Sequence, residues 1–147
     1  MRITFDGEAE ASYIYFTTIE PGGAVQSIVD LRLDVGLDKD EMITTMQLFE
    51  SKDCRFEGRL QFALQHRQVS YDRETKSIMI DFTTGPEPTK IISWEANIDL
   101  DREGKILGVE ILFAEPDYRP DDGRERLYAK GKLDHLSKYI VPFDALH

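Results

Sequence analysis

The chain is poor in the residues that most often announce a function. Its 147 residues include one cysteine, Cys54, and three histidines, His66, His135 and His147. One cysteine excludes an intrachain disulfide, and a structural zinc site needs about four ligands. To act as a nucleophile, Cys54 would need a base and an electropositive setting, so a small buried hydrophobe or an inert thiol is the simpler expectation. The histidines have no other ligand type close by in sequence and read as surface or connector residues. No apolar run approaches the roughly 18 residues of a membrane helix. The opening MRITFDGEAE lacks the apolar stretch of a signal peptide, which makes the cytoplasm the default expectation. There is no Gly-rich phosphate loop, because Pro21-Gly22-Gly23 reads as a turn.

Positive charge is also scarce. Eighteen Lys and Arg stand against 28 Asp and Glu, for a net charge of −10. From Met1 to Ser51 ten acids face three bases, net −7, and from Val69 to Glu115 ten face five, net −5. The stretch between them, 52–68, is net +2, and 116–147 is balanced. Such a field repels phosphate backbones, so nucleic acid is excluded as a partner. It serves solubility, or steers a basic protein partner.

What the chain does have is an internal repeat. Ile3–Thr18 aligns on Val69–Thr84 at a constant offset of 66, pairing Asp6 with Asp72, Glu8 with Glu74, Ile14 with Ile80, Phe16 with Phe82, Thr17 with Thr83 and Thr18 with Thr84. Further on the offset is 63, which places Val35 on Ile98, Leu37 on Leu100, Asp38 on Asp101 and Leu48 on Ile111. Ordered matches at both ends of a segment indicate duplication, and a repeat must be found before the fold is read.

Each copy reads as four strands. A short strand near Arg2–Phe5 or Gln68–Tyr71 meets an Asp turn, where the carboxylate can accept a backbone N–H two residues on. The second strand is Ser12–Thr18 or Ser77–Thr83. In the third, Val29, Leu31, Leu33 and Val35 alternate with Asp30, Arg32 and Asp34, and Ile92, Trp94, Ala96, Ile98 and Leu100 alternate with Ser93, Glu95, Asn97 and Asp99. A period of two with charges on one side predicts half-buried antiparallel strands. The fourth is Met42–Phe49 or Lys105–Phe113. Short links favour sequential neighbours, so each copy is expected to be a four-stranded meander. In the connector, Phe56, Leu60, Ala63 and Leu64 fit a helix, while Leu60, Phe62 and Leu64 equally fit a strand. The lack of β-branched residues favours the helix. Leu133, Leu136 and Ile140 keep helical spacing before Pro142. The expectation is therefore an α+β fold. A first meander repeat (1–51), a helical connector (52–67), a second meander repeat (68–115) and a C-terminal helical segment (116–147) are arranged about a pseudo-twofold axis.

These residues resemble an uncharacterised bacterial family catalogued as domain of unknown function 2283. Its pattern opens with an aromatic-Asp-x-Glu turn and a Leu-Tyr-Ile-like strand, and ends with Asp-x-Asp-x-x-Gly and an apolar-Gly-Ile-Glu-Ile-like strand. The first copy keeps the front of that pattern in Ile3, Phe5, Asp6, Glu8, Ala9, Tyr13, Ile14 and Tyr15. The second keeps the back in Asp99, Asp101, Gly104, Ile106, Gly108, Val109, Glu110 and Ile111. Glu41 and Thr45 replace the expected glycines in the first copy. The resemblance implies a fold more than a function. It brings no activity, cofactor or catalytic residue, and only a loose link to antitoxins of small toxin-like proteins.

Two groups of residues invite a chemical reading. Asp99, Asp101, Glu103 and Glu110, with Gly104, follow the calcium-loop spacing. That loop joins two helices, whereas both flanks here alternate as strands, so a hairpin turn is expected and no metal. Tyr13 and Tyr15 face away from Ile14 and Phe16, and Met79 takes the place of Tyr13 in the second copy. These three are interface candidates, either as a second buried apolar face or as tyrosines half-covered by neighbouring strands. With no catalytic signature and no cofactor motif, the expected function is a non-enzymatic protein-binding or scaffold module that binds a protein partner or self-associates as a homo-oligomer. The alternatives are an antitoxin-like partner of a small basic toxin and an enzyme with a cleft between the repeats.

Overall fold

A computed structural model describes residues 2–6, 11–40, 42–60, 68–82 and 87–112. These form eight strands, β1 (Arg2–Asp6), β2 (Ala11–Tyr15), β3 (Gln26–Leu37), β4 (Ile43–Phe49), β5 (Val69–Asp72), β6 (Ser77–Asp81), β7 (Lys90–Leu100) and β8 (Ile106–Leu112). All eight belong to one antiparallel sheet, curled into a half-barrel, in the order β1-β2-β8-β7-β3-β4-β6-β5. Among the described residues there is no helix, which corrects the α+β expectation. The expected C-terminal helix lies outside the described residues, as do connector residues 61–67. Residues 52–60 are turns and irregular chain. Gly58 adopts φ +80°, which breaks a helix there, and Cys54 and Phe56 instead plug into the core at 1% and 0% exposure.

The meander expectation is also corrected. β2 does not pair with β3, nor β6 with β7. The β1–β2 hairpin pairs with β8, and the β5–β6 hairpin pairs with β4. The β1–β2 hairpin therefore lies beside the β7–β8 hairpin, and the β5–β6 hairpin beside the β3–β4 hairpin. The order reads identically from either edge when β1–β4 and β5–β8 are interchanged, with the midpoint between β3 and β7.

Register carries the correspondence to single residues. Tyr13 opposes Glu110, which opposes Asn97; Met79 opposes Gln47, which opposes Asp34. The offsets of 66 and 63 map the first trio onto the second. Both long hairpins contain a bulge at matching places, with Thr44 extra in β4 and Leu107 extra in β8. Each bulged carbonyl accepts an amide from just beyond the neighbouring strand: Phe82 N to Thr44 O at 2.9 Å, and Phe16 N to Leu107 O at 3.0 Å. The hairpin turns match too. Asp38 Oδ1 accepts from Asp40 N and Met42 N, and Asp101 Oδ1 from Glu103 N and Lys105 N. Asp72 likewise accepts from Glu74 N, as its turn position predicts.

The core lines one face of the sheet. Ile14, Val109 and Ile98 stack across β2, β8 and β7, and Val35, Met46 and Ile80 across β3, β4 and β6, all at 1% exposure or less. Each such side chain contributes on the order of 2 kcal/mol. One irregularity breaks the alternation. β3 carries an extra residue between Ile28 and Leu31, opposite Asn97, and Asp30 takes φ +61° there. This shifts the phase, so Ile28 rather than Val29 packs against the core, and Val29 is 57% exposed.

Candidate functional site

The outer face of the sheet is polar, and its two halves differ. In the β1-β2-β8-β7 half, residues from distant parts of the chain converge. Tyr13 Oη donates to Asp99 Oδ2 at 2.9 Å, and Ser27 Oγ donates to the other oxygen of the same carboxylate. Asn97 links the bulge to β8, accepting from Asp30 N at 3.1 Å and donating to Glu110 at 3.3 Å. The Tyr13 ring lies over Gly108, where a Cβ would sit 2.5 Å from Tyr13 Cε1 and 2.6 Å from the Ile14 carbonyl oxygen. Tyr15 packs beside Tyr13, with ring centroids 4.5 Å apart and planes tilted by 52°.

Burial raises the Tyr13 phenol well above its ordinary pKa of 10, and the hydrogen bond to Asp99 raises it further, with the Asp99 charge adding to both. Tyr13 is thus a neutral hydrogen-bond donor and no proton acceptor at ordinary pH. The tyrosines are half-buried on the outer face. Met79, in the opposite half, lies next to Gln47 and Ser77, away from both.

The four calcium-pattern residues are not drawn together. Asp99 sits on the outer face with Tyr13 and Ser27, Glu110 with Asn97, and Asp101 is occupied by the turn amides of Glu103 and Lys105. Glu103 is exposed at the turn. Among the described residues no group of three or more His, Cys, Asp or Glu could hold a metal ion. Cys54 is buried, and desolvation pushes its thiol up, away from a reactive thiolate. The three histidines lie outside the described residues. The seam between the halves, where an enzyme cleft was an alternative, is the β3–β7 ladder backed by Leu31, Leu33, Val35, Ile92, Trp94 and Ala96, all buried.

Of the residues that meet around Tyr13 and Asn97, the sequence singled out Tyr13, Tyr15, Asp99 and Glu110 as candidates, but not Ser27, Asp30 or Asn97. Those three depend on the β3 bulge and carry no sequence signal of their own. Residues 68–114 match the family model described as Protein of unknown function (DUF2283). No curated protein and no solved structure matches the chain. The DUF2283 match spans β5–β8, and that segment is not contiguous in the sheet, because β3 and β4 separate its two hairpins. Among the described residues no helix is long and apolar enough to cross a membrane.

Proposed function

We propose that the chain is a tandem duplication of the DUF2283 unit in which the two copies exchange hairpins, and that it works as a non-catalytic module that docks a basic protein surface on one half of its outer face. The observation that carries this reading is the Tyr13–Asp99 contact, which joins the front of one copy to the back of the other. Exchange explains why the family-like residues are split between copies, since the split halves are spatial neighbours. On the outer face of the tyrosine-bearing half, Glu95, Asp99 and Glu110 supply negative charge, while Arg32 on β3 already pairs with Asp34 at 2.9 Å. Half-exposed tyrosines among unmatched carboxylates suit a partner that brings Lys or Arg, with the rings covering its aliphatic stems.

A photo-crosslinking residue placed at Tyr15, and separately at Met79, tests the reading in host extract. The expected result is a salt-sensitive adduct to a basic protein from position 15, weakened by Glu110→Gln, and none from position 79. Equal adducts from both positions, or adducts only to a second copy of this chain, would contradict it.

A further inference from the structure

A cavity of about 320 Å³ opens where the connector meets the β5–β6 hairpin, lined by Glu50, Arg55, Glu57, Tyr71, Arg73 and Lys76. Its volume falls within the range of small-molecule sites. Three cations converge there in a chain of net charge −10.

The wall carboxylate does not neutralise them all. Glu50 is 7% exposed and accepts from Arg55 Nη1 at 3.1 Å, from Phe56 N at 3.0 Å and from Tyr71 Oη at 3.2 Å. Burial alone would push its carboxyl up, but those three donors together hold it below the ordinary carboxylate range. It is a saturated structural anion. Its own amide donates to Lys76 O at 3.1 Å, which ties the hairpin turn to the cavity wall.

Arg73 and Lys76 form no ion pair or hydrogen bond through their side chains with any described residue. The acid next to Arg73 in sequence, Asp72, is spent on the turn amides of Glu74 and Thr75. Lys76 holds φ +54°, a left-handed conformation that a residue with a side chain adopts at a cost. Strain of this kind often marks a functional position.

We infer that this cavity is a binding site for a small organic oxyanion, a carboxylate or a phosphate ester, held between Arg73 and Lys76 and completed by the free guanidinium edge of Arg55. Arg73 supplies planar paired donors and Lys76 a point charge. Glu57 on the rim limits the site to ligands of low net negative charge. The site is on the β5–β6 hairpin, separate from the tyrosine-bearing outer face, so it stands or falls independently of the protein-docking reading.

Two-dimensional amide NMR of the full chain, titrated separately with inorganic phosphate and acetate at constant ionic strength in sodium chloride, tests it. Saturable shifts in the millimolar range, confined to the amides of Glu50, Phe56, Tyr71, Arg73 and Lys76, are expected for at least one probe. Arg73→Gln and Lys76→Gln should each weaken binding about fivefold, as loss of one partly exposed charge contact would. A stronger response to phosphate than to acetate assigns phosphate esters, and the reverse assigns carboxylates. Shifts that do not saturate, that spread over the sheet, or that persist unchanged in both variants would overturn the site. Both substitutions lie on an exposed turn, and the unchanged dispersion of the rest of the spectrum verifies that they fold.

Discussion

Across β2, β8 and β7, one half of the sheet places Tyr13, Glu110 and Asn97 side by side; across β6, β4 and β3, the other half places Met79, Gln47 and Asp34 at the same positions. The backbones correspond, down to the bulges at Leu107 and Thr44. The outer side chains do not. A glycine has even changed strands. Gly108 sits on β8 opposite Asp99, whereas in the other half Gly36 sits on β3 opposite Thr45. Gly108 is covered by the Tyr13 ring and the Ile14 carbonyl, and Gly36 by the Thr45 hydroxyl and Pro88. Each half thus fills the same gap with different chemistry. What the two halves share is the requirement of a curled sheet; what they do not share is where a specific surface can lie.

The glycines provide the sharpest way to break the comparison. In Gly108→Ala the new Cβ meets backbone oxygen as well as the Tyr13 ring, and backbone cannot swing aside. A loss of about 3 kcal/mol is expected from such overpacking. In Gly36→Ala the Cβ meets the Thr45 hydroxyl and comes within 2.9 Å of the Pro88 ring. The Thr45 hydroxyl can rotate away, but Pro88 Cβ is held in its ring and must move with its own chain, so the loss should be intermediate, about 2 kcal/mol. Urea melts of the two variants decide it, and equal losses would mean that the halves are packed alike.

A smaller effect separates Tyr13 from Met79. Tyr13→Phe keeps the ring over Gly108 but removes the donor to Asp99, at a cost of about 1 kcal/mol; Met79→Leu should change stability by less than about 0.5 kcal/mol. The pH dependence carries a sign. Because the folded phenol ionises above the ordinary value of 10, its contribution is intact below pH 10 and is lost as the pH rises beyond it, where the unfolded phenol ionises first. Tyr13→Phe should therefore lose stability less steeply above pH 10 than the parent chain. Part of the slope should remain, because burial and the neighbouring Glu50 charge also raise Tyr71. An unchanged alkaline slope would remove Tyr13 from the account.

Much of this fold was legible in the sequence. All eight strands were readable from alternation and from turn residues such as Asp72, whose carboxylate caps its turn as its position suggests. Alternation says which face a residue occupies but not which strand lies alongside, so sequential meanders were expected where β2 instead pairs with β8 and β6 with β4. Pairing partners are set by long-range packing, here through β3 and β7. Two local details were hidden for related reasons. A bulge at Val29–Asp30 leaves the period-two pattern looking unbroken while reversing its faces, and the helical spacing of Phe56 and Leu60 outweighed Gly58 between them. The tyrosines and Asp99 were visible as candidates, but not as a pair, because 86 residues separate Tyr13 from Asp99. The cavity at Glu50 was not foreseen at all, since Arg55, Arg73 and Lys76 form no motif and meet only through the hairpin's docking on the connector.

The most direct test of the exchange is a map of backbone nuclear Overhauser contacts in the full chain. The structure requires cross-strand contacts between Tyr13 and Glu110 and between Met79 and Gln47, linking β2 to β8 and β6 to β4. Contacts instead linking β2 to β3 and β6 to β7 would describe two consecutive meanders and contradict the account.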